Sequence, residues 1–362
     1  MYARFSAARV PWFIGVNYRQ SGGGIFLPRF VAVLLLLSSL GFSQEPVATG
    51  QVFRVNVEQV VVDAQVLSKK THQSVKDLTA DDFQLFENGV RQQINAVSQD
   101  KLPLSIVFLF DLTDSVRPVL KPLARGALQA LEHLKPEDEA AVMVYSSSTQ
   151  LLQDFTTDHE LLVQAIQKAG SMESSEAAFF NEGVFQAAQQ SRKSTIPGSR
   201  RVMIWLTDNI PNVPSEEIKL KYARSLPPET VIHTLRDAMD ELTKTGTVVC
   251  TLLETSYISD YEFSSRLNDP AYRLQSNLYP PGDVYKYSDQ TGGQVIQSNN
   301  AKQVSRRLAD LIDEIRGRYA LMYHPVQGGA RGSLRTLKLK IAPEVEQREG
   351  KLIVKTKRGY YR

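Results

Sequence analysis

The chain has 362 residues, of which 42% are hydrophobic and 22% are charged, a composition typical of a globular protein with one large domain or two modest ones. Its formal charge of +3 depends on four arginines ahead of residue 44, because the remaining chain carries 38 cationic and 39 acidic side chains. Nucleic-acid-binding proteins concentrate Lys and Arg on one surface, and since no such stripe is present we expect no nucleic-acid partner.

Residues 1–43 are predicted to form a signal peptide. An apolar run at 30–40 follows a region whose only charges are arginines, and small residues stand behind the run at the spacing of a cleavage site. The run is shorter than the about 20 apolar residues that span a bilayer. We therefore expect an exported protein, periplasmic or secreted, with no membrane span in its mature chain, and an uncleaved N-terminal anchor is the alternative.

Residues 52–100 are predicted to form a small β-rich domain. Strand-like runs at 53–57 and 60–66 precede a turn-rich stretch and a further run from Phe83 to Phe86. Residues 100–103 are polar and end in proline directly before a strongly apolar strand, so they are predicted to be a linker.

From residue 104 to residue 317 the pattern changes to strands that alternate with helical periodicity. Such alternation is typical of a parallel sheet covered by helices. The sequence therefore predicts an α/β fold with a Rossmann-like, doubly wound, mostly parallel sheet. The predicted strands are Leu104 to Phe110, Glu139 to Tyr145, Arg201 to Thr207, Val248 to Leu253 and Gly293 to Ile296.

Helices are predicted between these strands. Apolar residues recur at helical spacing from Val116 to Leu134, and Thr157 with Glu160 has the spacing of a capping box ahead of the next helix. The single cysteine, Cys250, lies within a predicted strand and is expected to be a small core residue. With one cysteine, no intramolecular disulfide can form.

Residues 318–362 return to a β pattern, with predicted strands at Tyr319 to Tyr323, Leu334 to Ile341 and Lys351 to Lys355. Because β-rich segments stand on both sides of the α/β block, their symmetry suggests that the two flanks pair as one small β-sandwich. A Tyr-rich stretch at 257–287 is predicted to be a long insertion, either packed on itself or forming a partner surface.

Oxygen-bearing side chains follow the first strand of the α/β block where it ends. Asp111, Thr113 and Ser115 alternate along the loop to the first helix, and Asp208 follows another predicted strand. Ligands of open α/β sheets bind outside the carboxyl ends of the strands, so Asp208 lies beside Asp111 if the two strands are parallel neighbours. Carboxylates and hydroxyls suit hard cations such as Mg²⁺, Mn²⁺ or Ca²⁺. The same residue types also occupy turns and helix N-caps, and that structural role is the alternative.

Residues 106–115 resemble the first strand and metal-ion-dependent adhesion site of von Willebrand factor A (vWA) domains, whose usual motif is D-x-S-x-S. The run from Arg201 to Asp208 resembles the fourth strand of these domains, and Thr291-Gly292-Gly293 resembles the segment before their last strand and helix. The flanks are similar to those of vWA-related proteins abundant in Acidobacteria, so the resemblance extends from about residue 52 to the C-terminus. The flanking motifs are Val60-Val61-Val62-Asp63, Leu78-Thr79-Ala80-Asp81-Asp82-Phe83, Glu87-Asn88-Gly89, Arg318-Tyr319-Ala320-Leu321-Met322-Tyr323-His324-Pro325 and Arg358-Gly359-Tyr360.

The resemblance implies a divalent-metal site made of four residues. Thr113 and Ser115 would coordinate the ion directly, and Asp111 and Asp208 would lie at the ion or reach it through water. An open coordination position would receive a carboxylate side chain from a protein partner. This implies adhesion-type recognition.

Two positions depart from the family pattern. Ala177 stands where many relatives have a threonine that reaches the ion, and Ser174, Ser175 or Glu176 of the neighbouring turn could supply a replacement oxygen. Asn209 stands where a glycine commonly follows the second aspartate. The Ala177 departure favours an alternative function, a metal-free structural or assembly module in which the loop is vestigial.

We assign no catalytic residue from the sequence. The chain lacks the G-x-S-x-G elbow, the G-x-x-x-x-G-K-[ST] phosphate loop and the H-E-x-x-H zinc pair, and its five histidines are dispersed. We therefore expect a binding protein that is not an enzyme. A metal-dependent hydrolase that uses Asp111 and Asp208 is the second alternative.

Overall fold

The computed structural model describes residues 59–99, 102–173, 179–209, 233–254, 283–298, 303–326 and 330–362, together with residues 270 and 300. The predicted signal peptide, the strand predicted at 53–57, Ala177 with its neighbours 174–176, and most of the Tyr-rich stretch lie outside these residues. None of the helices described is long and apolar enough to cross a membrane.

The described residues form strands and helices that agree closely with the sequence pattern. The strands are β1 (Val60–Ser68), β2 (Phe83–Glu87), β3 (Val90–Gln92), β4 (Ile94–Gln99), β5 (Leu104–Asp111), β6 (Glu139–Tyr145), β7 (Thr149–Thr156), β8 (Arg200–Thr207), β9 (Val248–Glu254), β10 (Val295–Ser298), β11 (Tyr319–Tyr323), β12 (Leu334–Ile341), β13 (Leu352–Thr356) and β14 (Gly359–Tyr361). The helices are α1 (Arg117–Ala130), α2 (His159–Ser171), α3 (Phe180–Ser191), α4 (Leu235–Thr245), α5 (Val284–Thr291), α6 (Val304–Arg316) and α7 (Pro343–Glu349).

Six strands form the central sheet in the order β7-β6-β5-β8-β9-β10. All neighbours are parallel except β6 and β7, which are antiparallel. Counted along the chain from β5, this is the order 3-2-1-4-5-6 of doubly wound α/β folds. The predicted fold class is therefore confirmed. The strand order reverses between β5 and β8, and this switch point is where such sheets bind ligands.

Both faces of the central sheet are covered by helices, which explains why β5 is buried at every residue. Ile106 and Phe108 of β5 pack with α1, α2 and α6, whereas Val107 and Leu109 pack with α3, α4 and α5. Cys250 on β9 is fully buried in the first of these cores and has no disulfide partner, as predicted.

The two flanks of the α/β block share the sheets of one β-sandwich. In the first sheet, of order β13-β1-β11-β4, the N-terminal strand β1 lies between the C-terminal strands β11 and β13. The second sheet has the order β14-β12-β2-β3. Val62, Leu85, Leu321 and Leu339 are among the residues that fill the core between the sheets. The pairing suggested by symmetry is thus confirmed.

Several local features differ from the sequence-based expectation, among them α5, whose residues 284–287 lie in the stretch predicted to be an insertion. Strand β7 was not predicted, because it is the edge strand of the sheet and its sequence is mostly polar and partly exposed. Helix α7 was also not predicted. The capping-box prediction for α2 was wrong, since the N-cap is Asp158, whose carboxylate accepts hydrogen bonds from the backbone of Glu160 and Leu161.

A buried ion network joins the β-sandwich to the α/β block. Asp63 on β1 lies against the guanidinium groups of Arg200, at the start of β8, and Arg318, directly before β11. Arg200 also donates hydrogen bonds to the carbonyl oxygens of Ile315 at 2.7 Å and Arg318 at 2.9 Å. Burial alone would raise the pKa of Asp63, but the charges of the two arginines and their hydrogen bonds to Asp63 together outweigh burial and hold that pKa below its usual range. Two residues of the flanking sequence motifs, Asp63 and Arg318, therefore connect the two parts of the protein.

The junction also depends on the absence of a side chain at Gly292. Its φ is +74°, a left-handed conformation that ends α5, and a Cβ added there would lie 2.3 Å from the carbonyl carbon of Thr356. The backbone of β13 therefore reaches the end of α5 only because residue 292 is glycine. This contact gives the Thr291-Gly292-Gly293 motif a role in joining the two parts.

Candidate functional site at the switch point

Two buried carboxylates lie at the switch point of the central sheet. Asp111 is the last residue of β5, and Asp208 directly follows β8, the parallel neighbour of β5. Asp111 is fully buried and Asp208 is 2% exposed. The expectation that the two strands are parallel neighbours is therefore confirmed.

Three hydrogen bonds hold the Asp111 carboxylate. Its Oδ1 accepts from the backbone N–H of Thr113 at 2.9 Å, and its Oδ2 accepts from the hydroxyls of Tyr145 and Thr207, each at 2.7 Å. The bond to Thr113 is a turn of the kind that aspartates commonly form with the backbone two residues on. Asp111 thus has a structural role in the loop as well as a position in the cleft.

The electrostatics of the cleft are unfavourable to a charged Asp111. Burial and, to a smaller extent, the charge of Asp208 raise the pKa of Asp111 to about 7, against the opposing effect of its three hydrogen bonds. A cation bound between the two carboxylates would remove this repulsion, because an opposite charge favours the ionised form.

The two hydroxyls of the loop lie side by side. Thr113 is fully buried, Ser115 is half-buried, and their hydroxyls form a hydrogen bond with 3.0 Å between the oxygens. Adjacent ligands of an octahedral Mg²⁺, each about 2.1 Å from the ion, are about 3.0 Å apart. The spacing of the two hydroxyls and the oxygen-only donor set therefore fit a hard divalent cation.

Two other residues near this loop, Asp114 and Val116, do not belong to the donor set. Asp114 is exposed and forms an ion pair with Arg117 at 2.8 Å. The N-cap residue of α1 is Val116, which makes no side-chain cap hydrogen bond. The polar residues of the loop therefore do not act as the N-cap of α1, which was the structural alternative considered from the sequence. Within the described parts of the chain, no three His, Cys, Asp or Glu side chains converge as a metal-binding group. A cation at this place would depend on the two carboxylates and the hydroxyls together.

Two of the residues that hold Asp111 were not predicted from the sequence. Tyr145 is the last residue of β6 and is fully buried, with its hydroxyl also accepting a 3.0 Å hydrogen bond from the indole N–H of Trp205. Thr207 is the last residue of β8. Both positions could have been noted, because they end the strands on either side of β5 and polar groups there reach the same edge of the sheet.

The departure at Asn209 has a conformational explanation. Its φ is +54°, in the left-handed region that glycine adopts freely and asparagine tolerates better than most residues. Its side-chain oxygen accepts a hydrogen bond from the backbone N–H of Val284 at 3.2 Å, at the start of α5. Asn209 therefore adopts the left-handed conformation that a glycine would adopt here, and its side chain adds a hydrogen bond to the start of α5.

No protein-family model matches this chain, and no match was found among curated proteins. Solved structures with a similar fold include a von Willebrand factor type A protein from Catenulispora acidiphila, with 11% identity, 74% of this chain and 72% of that chain covered, and a TM-score of 0.43. The vWF domain of the type V pili tip protein Mfa5 from Porphyromonas gingivalis has 13% identity, coverage of 59% and 95%, and a TM-score of 0.37. The conserved hypothetical protein BatB from Bacteroides thetaiotaomicron has 14% identity, coverage of 59% and 98%, and a TM-score of 0.37. Similarity at this level concerns the fold alone.

Proposed function

We propose that this chain is an exported vWA-type binding protein whose switch-point cleft holds a divalent cation for recognition of a protein partner. Asp111, Thr113, Ser115 and Asp208 would hold the ion, which is Mg²⁺ or, in its place, Mn²⁺ or Ca²⁺. The affiliation with vWA-related proteins of Acidobacteria belongs to the same proposal and is supported by the flanking sequence motifs.

The observation that carries the proposal is the pair of buried carboxylates at the switch point. Asp111 is fully buried, and the charge of Asp208 beside it adds to the effect of burial in raising the pKa of Asp111 to about 7. A protein gains nothing in stability from two such anions placed together unless a cation or a proton accompanies them. The adjacent hydroxyls of Thr113 and Ser115 complete a set of oxygen donors that suits a hard cation.

The surrounding residues would keep this donor set in place. Tyr145 and Thr207 donate hydrogen bonds to one oxygen of Asp111 and so orient its carboxylate. Supporting hydrogen bonds of this kind fix the geometry of metal-binding side chains in proteins generally. When bound, the ion would offer a coordination position to a carboxylate of the partner. We assign no bond-making or bond-breaking step to the chain.

Calorimetric titration with Mn²⁺ tests the metal site, and four forms of the protein make the test specific. We expect saturable heat from the wild type and from Asp114→Asn, because Asp114 is an exposed carboxylate of the same loop that pairs with Arg117. Asp111→Ala and Thr113→Val should lose the binding. Equal and negligible heats from wild type and Asp111→Ala would overturn the metal proposal and favour the metal-free assembly module.

The partner and the location are tested separately. Immobilised peptides that carry glutamate should retain the wild-type protein when Mg²⁺ is present and release it when a chelator is added. Cell fractionation with N-terminal sequencing should find a chain cleaved near residue 43 outside the cytoplasm. Retention that persists after the chelator is added would exclude binding of the peptide carboxylate by a bound ion. An uncleaved chain in the cytoplasm would exclude export.

A further inference from the structure

A second candidate binding site lies in a groove between α5, the start of β10 and β13. The groove has a volume of about 450 Å³ and is lined by residues of both the α/β block and the β-sandwich. Tyr285, Ser288 and Lys355 lie in it, and an ion pair between Arg358 and Asp289 stands at its exposed rim. The groove shares no residue with the proposed metal site.

Lys355 is a cation of the groove, and it forms no ion pair with the carboxylate of Asp289, which also lines the groove and pairs with Arg358. The side chain is half-buried, and it makes no hydrogen bond or ion pair with any residue that the structure describes. Burial lowers the pKa of its ammonium group, partly against the charges of Glu314 and Asp289. A partly buried ammonium group without a partner is stabilised when an anion enters beside it.

A buried hydroxyl in the same groove also lacks a partner. Ser288 is 3% exposed, and its Oγ makes no hydrogen bond with the part of the chain that the structure describes. Buried hydroxyl groups in native proteins are nearly always paired, so an orphan of this kind calls for an explanation. An oxygen-bearing ligand or the water it brings would satisfy Ser288.

Two strand edges border the groove and favour a peptide as its occupant. Both β10 and β13 lie at the edge of their sheets, and Val295 of the former and Val354 of the latter line the groove. An edge strand presents backbone N–H and C=O groups that an extended peptide can pair with, while side-chain pockets supply the specificity. The exposed ring of Tyr285 offers additional contact area.

We propose that this groove binds an extended acidic segment of a protein partner, with a carboxylate of the segment placed against Lys355 and the Ser288 hydroxyl. The segment lies along the edge of β10 or β13. Arg358 at the rim supplies a second cation once the segment displaces the Asp289 carboxylate. The site is independent of the metal cleft and does not require an ion there.

The test measures binding of a fluorescent peptide of alternating Thr and Glu to the full protein in the presence of a chelator, so that no bound cation contributes. A peptide of alternating Thr and Gln is the uncharged control. We expect saturable binding of the acidic peptide alone. Lys355→Gln should weaken it by about tenfold or more, and Ser288→Ala by a few-fold, because each removes a partner of the carboxylate.

The matched control is Lys351→Gln, which neutralises an exposed lysine directly before β13 and outside the groove. It should bind the acidic peptide as the wild type does, and thermal unfolding of all variants identifies any that fail to fold. Equal weakening by Lys351→Gln and Lys355→Gln would overturn the proposal. So would binding that requires Mg²⁺ and is lost in Asp111→Ala, or displacement of the peptide by millimolar inorganic phosphate as readily as by unlabelled peptide.

Discussion

The buried Asp111 should make the metal-free protein less stable as the pH rises, and replacing it with asparagine should remove this dependence. The pKa of Asp111 is raised from an ordinary value of 3.8 to about 7 by burial and by Asp208. A group whose pKa is higher in the folded state contributes stability below its unfolded pKa and loses it as the pH rises through its folded pKa. The loss therefore falls between about pH 4 and pH 7.

The expected magnitude follows from the size of this shift. A difference of about 3 pKa units corresponds to about 4 kcal/mol over the whole window, of which about 3 kcal/mol falls between pH 5 and pH 8. The side-chain amide of Asp111→Asn has one accepting oxygen, and its NH2 group can only donate. One of the three hydrogen bonds that the carboxylate accepts is therefore lost, at a cost of about 1 to 3 kcal/mol. The variant should thus be less stable than the wild type at about pH 4, where little of this stability has been lost, and at least as stable at about pH 8.

Urea unfolding in a chelator at several pH values measures this difference. The two stability curves should cross between about pH 4 and pH 6, and adding Mn²⁺ at pH 8 should restore stability to the wild type alone. Asp208→Asn should reduce the change of unfolding free energy with pH, because it removes one of the two causes that raise the pKa of Asp111. Parallel curves for wild type and Asp111→Asn would refute the reasoning.

Three further substitutions probe the junction and the support of the site. Asp63→Asn leaves two buried arginines without their counter-charge and should cost about 3 to 5 kcal/mol at pH 7. Because the pKa of Asp63 is lowered, this advantage of the wild type should fade as the pH falls below about 4. Gly292→Ala should cost more than about 2 kcal/mol by forcing the backbone of β13 away. Tyr145→Phe should cost about 1 to 3 kcal/mol and raise the pKa of Asp111 further, because it removes a donor to the carboxylate.

Each of these substitutions has a matched control, and urea unfolding measures them all. Gly246→Ala has nearly the same positive φ, +68°, but its Cβ would meet nothing within 4 Å, so it isolates backbone strain from the close contact. Asp289→Asn removes an exposed ion pair and should change stability by less than about 1 kcal/mol. Tyr285→Phe removes the hydroxyl of an exposed tyrosine that is not among the hydrogen-bond donors of Asp111. The interpretation of the junction or the site fails wherever a control costs as much as its partner.

Tyr145 also shows how the site depends on its surroundings. Its ring contacts Phe180 and Trp205 in edge-to-face geometry, and Gly183 lies so close that an added Cβ would be 2.7 Å from the ring. The hydroxyl that reaches Asp111 is therefore held by a fully packed aromatic cluster. Substitutions in this cluster should change the proposed metal site without altering any residue proposed to hold the ion.

The sequence by itself determined the α/β block and the place of its candidate site. A strand such as β5 that is apolar at nearly every position is expected to be buried on both faces. The helical periodicity of the segments around it predicts the helices that cover the two faces. Polar residues directly after such a strand necessarily lie at its carboxyl end. Asp111 and Asp208 could be placed at the same edge of the sheet for this reason, and the parallel pairing of β5 with β8 brings them together.

Only the tertiary structure decided which residues act on Asp111 and how the flanks are joined. Local periodicity reports which face of an element is buried, but it carries no information on which distant segment packs there. In the sequence, Tyr145 is the end of a predicted strand, Asp63 belongs to a flanking motif, and Gly292 belongs to the segment before the last strand. None of these patterns indicates what the three residues contact. The hydrogen bond to Asp111, the ion network with Arg200 and Arg318, and the close approach of β13 all join residues far apart in the chain, and each exists only because the whole chain has folded.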